Sequence, residues 1–142
     1  MTTDNSGPYL TAALICEKIL REKDEVISII RIIDRITVTT KGTLLPETPP
    51  PPITVNCNAF IALKSGSATG NRILKWMLET PSGTKTPEQL IPILLEGEDQ
   101  GVNLVLNLNV QVEQEGLHWF TLFLEDQFLT RIPLRIFYQW IS

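Results

Sequence analysis

Residues 115–140, EGLHWFTLFLEDQFLTRIPLRIFYQW, constrain the fold more than any other part of the chain. Phe120, Leu122 and Leu124 recur with period two, and so do Ile132, Leu134, Ile136 and Tyr138. Period two places each set on one face of an extended strand. Glu125, Asp126 and Gln127 separate the two runs and form a hairpin loop. Pro133 lacks a backbone donor, which places the last strand at a sheet edge or at a bulge. The chain therefore ends in an antiparallel hairpin with an open side.

The same alternation recurs upstream. Val55, Cys57, Ala59, Ile61 and Leu63 oppose Asn56, Asn58, Phe60 and Ala62, while Leu104, Leu106, Leu108, Val110 and Val112 oppose Asn103, Val105, Asn107, Asn109 and Gln111. The first is a half-buried strand, and the second has one core face and one wet or polar-bonded face. Residues 10–20 fit both helical and strand spacing. The polar REKDEV turn and the β-branched run ISIIRIIDRITVTT that follow favour a strand. RILKWMLE and QLIPILLEG are further strands, with SATGN and Pro81–Gly83 as turns. The pattern predicts an all-β chain: an antiparallel β-sandwich of about eight strands, immunoglobulin-like or C2-like. Residues 1–8 form a flexible N-terminus and residues 9–142 a single domain. Residues 41–54 hold Pro46 and Pro49 to Pro52, a stiff crossover between sheets or a ligand for a proline-reading groove.

Charge and composition exclude several classes of partner. The net charge is −4 and no Lys/Arg cluster occurs, which argues against nucleic acid and anionic membranes. No apolar run approaches the roughly 20 residues of a membrane span, and the N-terminus lacks a leader pattern, so a cytoplasmic protein is expected. Cys16 and Cys57 have no metal-binding or redox spacing and read as buried free thiols.

The segments LICEKILREKDEVISIIRIIDRI, the proline-containing loop, the Pro81–Gly83 turn and EG…WFTLFLEDQFLTRIPLRI together resemble a family of small bacterial single-domain β-sandwich proteins of unknown function. The likeness runs from Leu14 onward and departs at the first turn, where Asp24 and Glu25 replace an expected glycine. It implies the sandwich fold and leaves function open.

Candidate sites are sparse. His118 is the chain's one histidine, and a metal centre needs more ligands than it can supply, so it reads as a strand residue. Ser28, Ser65, Ser67 and Ser82 lie outside any nucleophile elbow, and Gly66 and Gly70 outside any phosphate loop. Asp34 among isoleucines requires a partner such as Arg31, Arg35 or Arg131, or serves as an edge charge. If successive strands reverse, Glu22, Asp24 and Glu25 meet Glu96, Glu98, Asp99, Glu125 and Asp126 at one end. A weak Ca²⁺ site at Asp24, Glu25, Glu98, Asp99 and Asp126 follows, beside the plainer reading of solvated turns. No enzyme activity and no cofactor are expected.

Apolar residues on the second faces of the strands carry the functional expectation. Trp119, Phe123, Leu129, Pro133 and Phe137 need a cover that a two-layer sandwich does not supply, and mark an interface. The chain reads as a non-enzymatic interaction or accessory module, with a protein partner or a second copy of itself. The alternative is a small-ligand, sugar or Ca²⁺ binder using the acidic end or Trp76, Trp119 and Trp140.

Overall fold

The computed structural model describes residues 6–41 and 53–141. Seven strands and no helix occur among them: β1 Tyr9–Arg21, β2 Ile27–Ile32, β3 Arg35–Lys41, β4 Ile53–Glu79, β5 Gln89–Val112, β6 Gly116–Leu124 and β7 Gln127–Ile141. They form one sheet in the order β2-β1-β4-β6-β7-β3, with β5 branching from β4. The all-β expectation holds; eight separate strands do not. The proline run at Pro46 and Pro49 to Pro52 lies outside the described residues.

Two pairs of expected strands are fused. The 27 residues of β4 run through SATGN, and the 24 of β5 run through EGEDQ. At about 3.3 Å per residue such a β4 would be ~90 Å long if straight. A compact chain of this length has a radius of gyration of roughly 14 Å. The ribbon must therefore fold on itself, and glycines and irregular register mark where. Register shifts fall between Lys64 and Gly66 and between Gly66 and Thr69, opposite Glu98. Gly66 and Gly97 have φ of 63° and 94°, and Glu98 has φ of 54°. Ser65 is fully buried at this bend and its Oγ donates to the Gln100 carbonyl at 2.7 Å. Nearby, the backbone N–H and Oγ of Ser67 both donate to the Ser6 carbonyl, at 3.1 and 2.6 Å.

The bend hands β4 from one neighbour to another. Its first half pairs β1 through Asn58 to Lys64, and its last residues, Leu74 to Glu79, pair β6. Side chains from both halves then meet in one core. Ala59, Ile61, Leu108 and Val110 contribute from one half and Leu74, Leu95, Phe120, Leu122, Leu134 and Ile136 from the other. The turns before β5 and β6 lie side by side: Gln114 Nε2 donates to Ser82 Oγ at 3.0 Å, and a Cβ at Gly116 would meet the Pro81 ring at 3.0 Å. The predicted inward sets on β4, β5, β6 and β7 are buried or partly buried as expected. Residues 10–20 are a strand.

The sheet is not wholly antiparallel, because β3 pairs β7 in parallel from Arg35/Arg135 to Lys41/Ile141. ISIIRIIDRITVTT breaks at Ile33–Asp34, where the chain leaves the flank of β1 and joins that of β7 without reversing. Ile33 N–H donates to the Ile15 carbonyl at 2.7 Å and Arg135 N–H to the Asp34 carbonyl at 3.2 Å. Asp34 is thus exposed at a bend, not inward among isoleucines, because the break resets the alternation on which that expectation rested. Of its three proposed partners, Arg31 pairs with Glu17 at 3.0 Å and Arg131 with Glu79 at 3.2 Å.

Candidate functional site

Alternation along the second half of the ribbon places one row of side chains outside. Leu74, Ile91 and Leu124 lie opposite one another in register and face inward, so their neighbours face out. Ile73 is paired with Pro92, Asn71 with Leu94, and Lys75 with both Leu90 and Phe123. Phe128 pairs with Phe123, and their rings meet edge-on at 5.9 Å. Leu90 is 60% exposed, Phe128 53%, Leu94 51% and Ile73 36%. Ile73, Leu90, Pro92, Leu94, Phe123 and Phe128 therefore share one outer apolar face across four adjacent strands. Lys75 crosses it, 3.7 Å from Asp126, and the Arg72–Glu125 pair at 3.1 Å borders the β6–β7 turn.

Four of the five residues expected at an interface lie on this outer side. Trp119 stands opposite Pro133 and Glu79, its ring covered by the Arg131 guanidinium at 3.8 Å. Phe137 is exposed beyond it, beside Thr37 of β3. Leu129 differs. The β6–β7 register slips between Leu122 and Phe123, so Leu129 is the extra residue of a bulge and packs against the core. The expected free edge at Pro133 survives only along the first half of β7, since β3 flanks β7 from Arg135 onward. Of the patch, sequence reasoning selected Phe123 alone and missed Ile73, Phe128, Leu90, Pro92 and Leu94. For the three on β5, alternation with Ile91, Ile93 and Leu95 was the available signal.

The acidic residues stay apart. Asp24 and Glu25 sit in the β1–β2 turn, Glu98 and Asp99 at the ribbon bend, and Asp126 in the two-residue β6–β7 turn. Among the described residues no three His, Cys, Asp or Glu side chains gather in a way that could hold a metal. The expected convergence assumed eight reversing strands, and the fused β4 and β5 remove two of the reversals. Local bonds occupy the first turn: Asp24 Oδ1 accepts from Val26 N–H at 3.2 Å and Glu22 from Ser28 Oγ at 3.0 Å. Trp76 stacks on buried Phe120 at 5.5 Å and so shares no platform with Trp119, which faces the other side of the sheet.

His118 is buried, at 3% exposure, inward and opposite Leu134. Nδ1 lies 3.2 Å from the Gly116 carbonyl, which accepts its proton in the neutral tautomer. Nε2 is then an acceptor, and it has no partner. The ring borders a cavity of about 210 Å³ beside Leu78, Thr84, Thr86, Val110 and Glu113. A carbonyl orients the ring where a general base would have a carboxylate. Burial holds the His118 pKa below the ordinary 6.5, while the Gly116 contact opposes that shift. The unfolded chain takes up this proton at higher pH than the folded one, so stability from this group is complete above about pH 6.5 and is lost as pH falls. Urea midpoints should drop from about pH 7 toward about pH 5, a window above most carboxylate titration, and His118→Gln should flatten that drop. A flat wild-type profile would mean the ring charges freely.

Cys16 and Cys57 are free and buried. Desolvation pushes the Cys57 thiol up to about 11 and raises that of Cys16 as well, so neither is a ready nucleophile at neutral pH.

No family model matches the chain, and no curated protein does. Among solved structures it is similar to an immunoglobulin-like protein from Pseudomonas aeruginosa, 13% identical over 94% of this chain and 99% of the other, with a TM-score of 0.47. A β-glucosidase from Listeria innocua is 10% identical over 94% of this chain, which spans 17% of that enzyme, with a TM-score of 0.45.

Proposed function

We infer that the protein is a non-enzymatic interaction module, an immunoglobulin-like sandwich that docks another protein on the outer face of β5, β4, β6 and β7. The observation that carries this reading is the apolar patch formed by Ile73, Leu90, Pro92, Leu94, Phe123 and Phe128. Scattered exposed apolar residues are ordinary, whereas a contiguous patch bordered by charge is the usual anatomy of a contact surface. Arg131, held over Trp119 and paired with Glu79, adds the aromatic and arginine chemistry in which interface anchors are rich. The patch lies on regular strands, so it is pre-formed and binding orders little backbone.

A photo-reactive phenylalanine analogue placed at Phe128, in the native host, tests the reading. The expected result is a protein adduct of discrete mass from this position and none from the same group at exposed Lys18 of β1, on the other half of the sheet. Equal labelling at both positions, or none at Phe128, would remove the docking surface.

A further inference from the structure

We propose that the outer edge of β5, from Val102 to Val112, pairs with the same edge of a second copy of this chain. The proposal uses a surface separate from the apolar patch and stands or falls independently of it. β5 is bonded along one side only: among the described residues its partner strand is β4, and no other pairs with it. An open edge presents unpaired N–H and C=O groups and attracts another strand unless something blunts it.

Three of the other open edges are blunted. The first half of β5 carries Pro92, Glu96, Glu98 and Asp99. On β2, Arg31 sits at φ 58° and reaches back to Glu17. The open part of β7 carries Arg131 and Pro133. From Val102 to Val112 the sequence VNLVLNLNVQV has no charge, no proline and no glycine in eleven residues.

Two features point to a second copy as the occupant. The chain carries a net charge of −4, so identical molecules repel, and they approach at least cost where neither bears charge. The exposed side chains of this run are also self-complementary. Asn107 lies directly across from Asn58, Asn109 from Asn56, and Gln111 donates to Thr54 Oγ1 at 2.8 Å. An amide both donates and accepts, so a copy of itself satisfies it in either direction. A second β5, related by a two-fold axis, would carry this amide array outward by one more strand, with each copy contributing the same edge.

Charge-swap pairing tests the contact. Asn107→Lys with Asn109→Lys, and separately Asn107→Glu with Asn109→Glu, alter exposed side chains and leave the core intact. Light scattering should show a dimer for the wild type, monomers for each variant alone and a dimer again on mixing the two. Circular dichroism and the melting profile check that the variants remain folded. Amide exchange across residues 101–112 should slow as wild-type concentration rises. A wild type that is monomeric at all concentrations overturns the proposal, and so does a dimer indifferent to both variants. Leu94→Asp with Phe128→Asp separates the two surfaces: it should leave the dimer unchanged, and a dimer lost there but not in the edge variants would assign self-association to the apolar patch.

Discussion

Replacing Phe120 with alanine is expected to destabilise the fold by about 3–5 kcal/mol, the range for emptying a buried aromatic site. Phe120 has no exposed surface, lies on β6 between β4 and β7, and stacks on Trp76 with ring centroids 5.5 Å apart. Its ring belongs to the core shared by both halves of the folded sheet, so neither half can collapse alone into the space left behind. For a chain of this size the melting temperature should fall by on the order of 10 °C. Chemical denaturation followed by tryptophan emission would measure it. Phe128→Ala on the outer face is the control, and it should stay within about 0.5 kcal/mol of wild type. Equal losses at the two positions would mean that the inner and outer faces have been exchanged.

Gly101→Ala is expected to be the most damaging single added methyl group in the ribbon bend. A Cβ at Gly101 would sit 2.6 Å from the Leu63 carbonyl oxygen and 3.0 Å from Lys64 Cδ. The lysine can turn aside, but the carbonyl belongs to the strand bonded to β1 and β5 and cannot. Backbone must shift beside the buried Ser65–Gln100 hydrogen bond, at a cost of about 1–3 kcal/mol. Amide exchange should quicken around residues 64–70 more than at the closing hairpin. Asn103→Ala, two positions on and exposed, should leave both stability and exchange nearly unchanged. An indifferent Gly101→Ala would show that the bend tolerates a wider separation of the two strands.

Much of the local structure was legible because period-two alternation is a property of adjacent residues. Phe120, Leu122, Leu124, Leu134 and Ile136 are buried as their spacing requires. The phase that buries Phe120 also buries His118 two residues before it, although the sequence reading left that residue either surface or packed. Its orphaned Nε2 was not legible, because that depends on what the facing half of the sheet supplies. Leu129 failed for a related reason: a bulge inserts one residue and reverses the phase. SATGN and EGEDQ misled because glycine and polar residues mark turns and strand bends alike.

Alternation and turn chemistry in the sequence alone determined that the described chain is all-β, which residues of the β4 to β7 runs turn inward apart from the bulge at Leu129, and that the β6–β7 segment closes as a hairpin. The tertiary structure decided that β4 and β5 are single folded ribbons, that β3 joins β7 in parallel, and that Leu90 and Leu94 share a surface with Phe128. Strand pairing joins residues far apart in the chain, and the sum of all contacts selects it. No single segment carries that information.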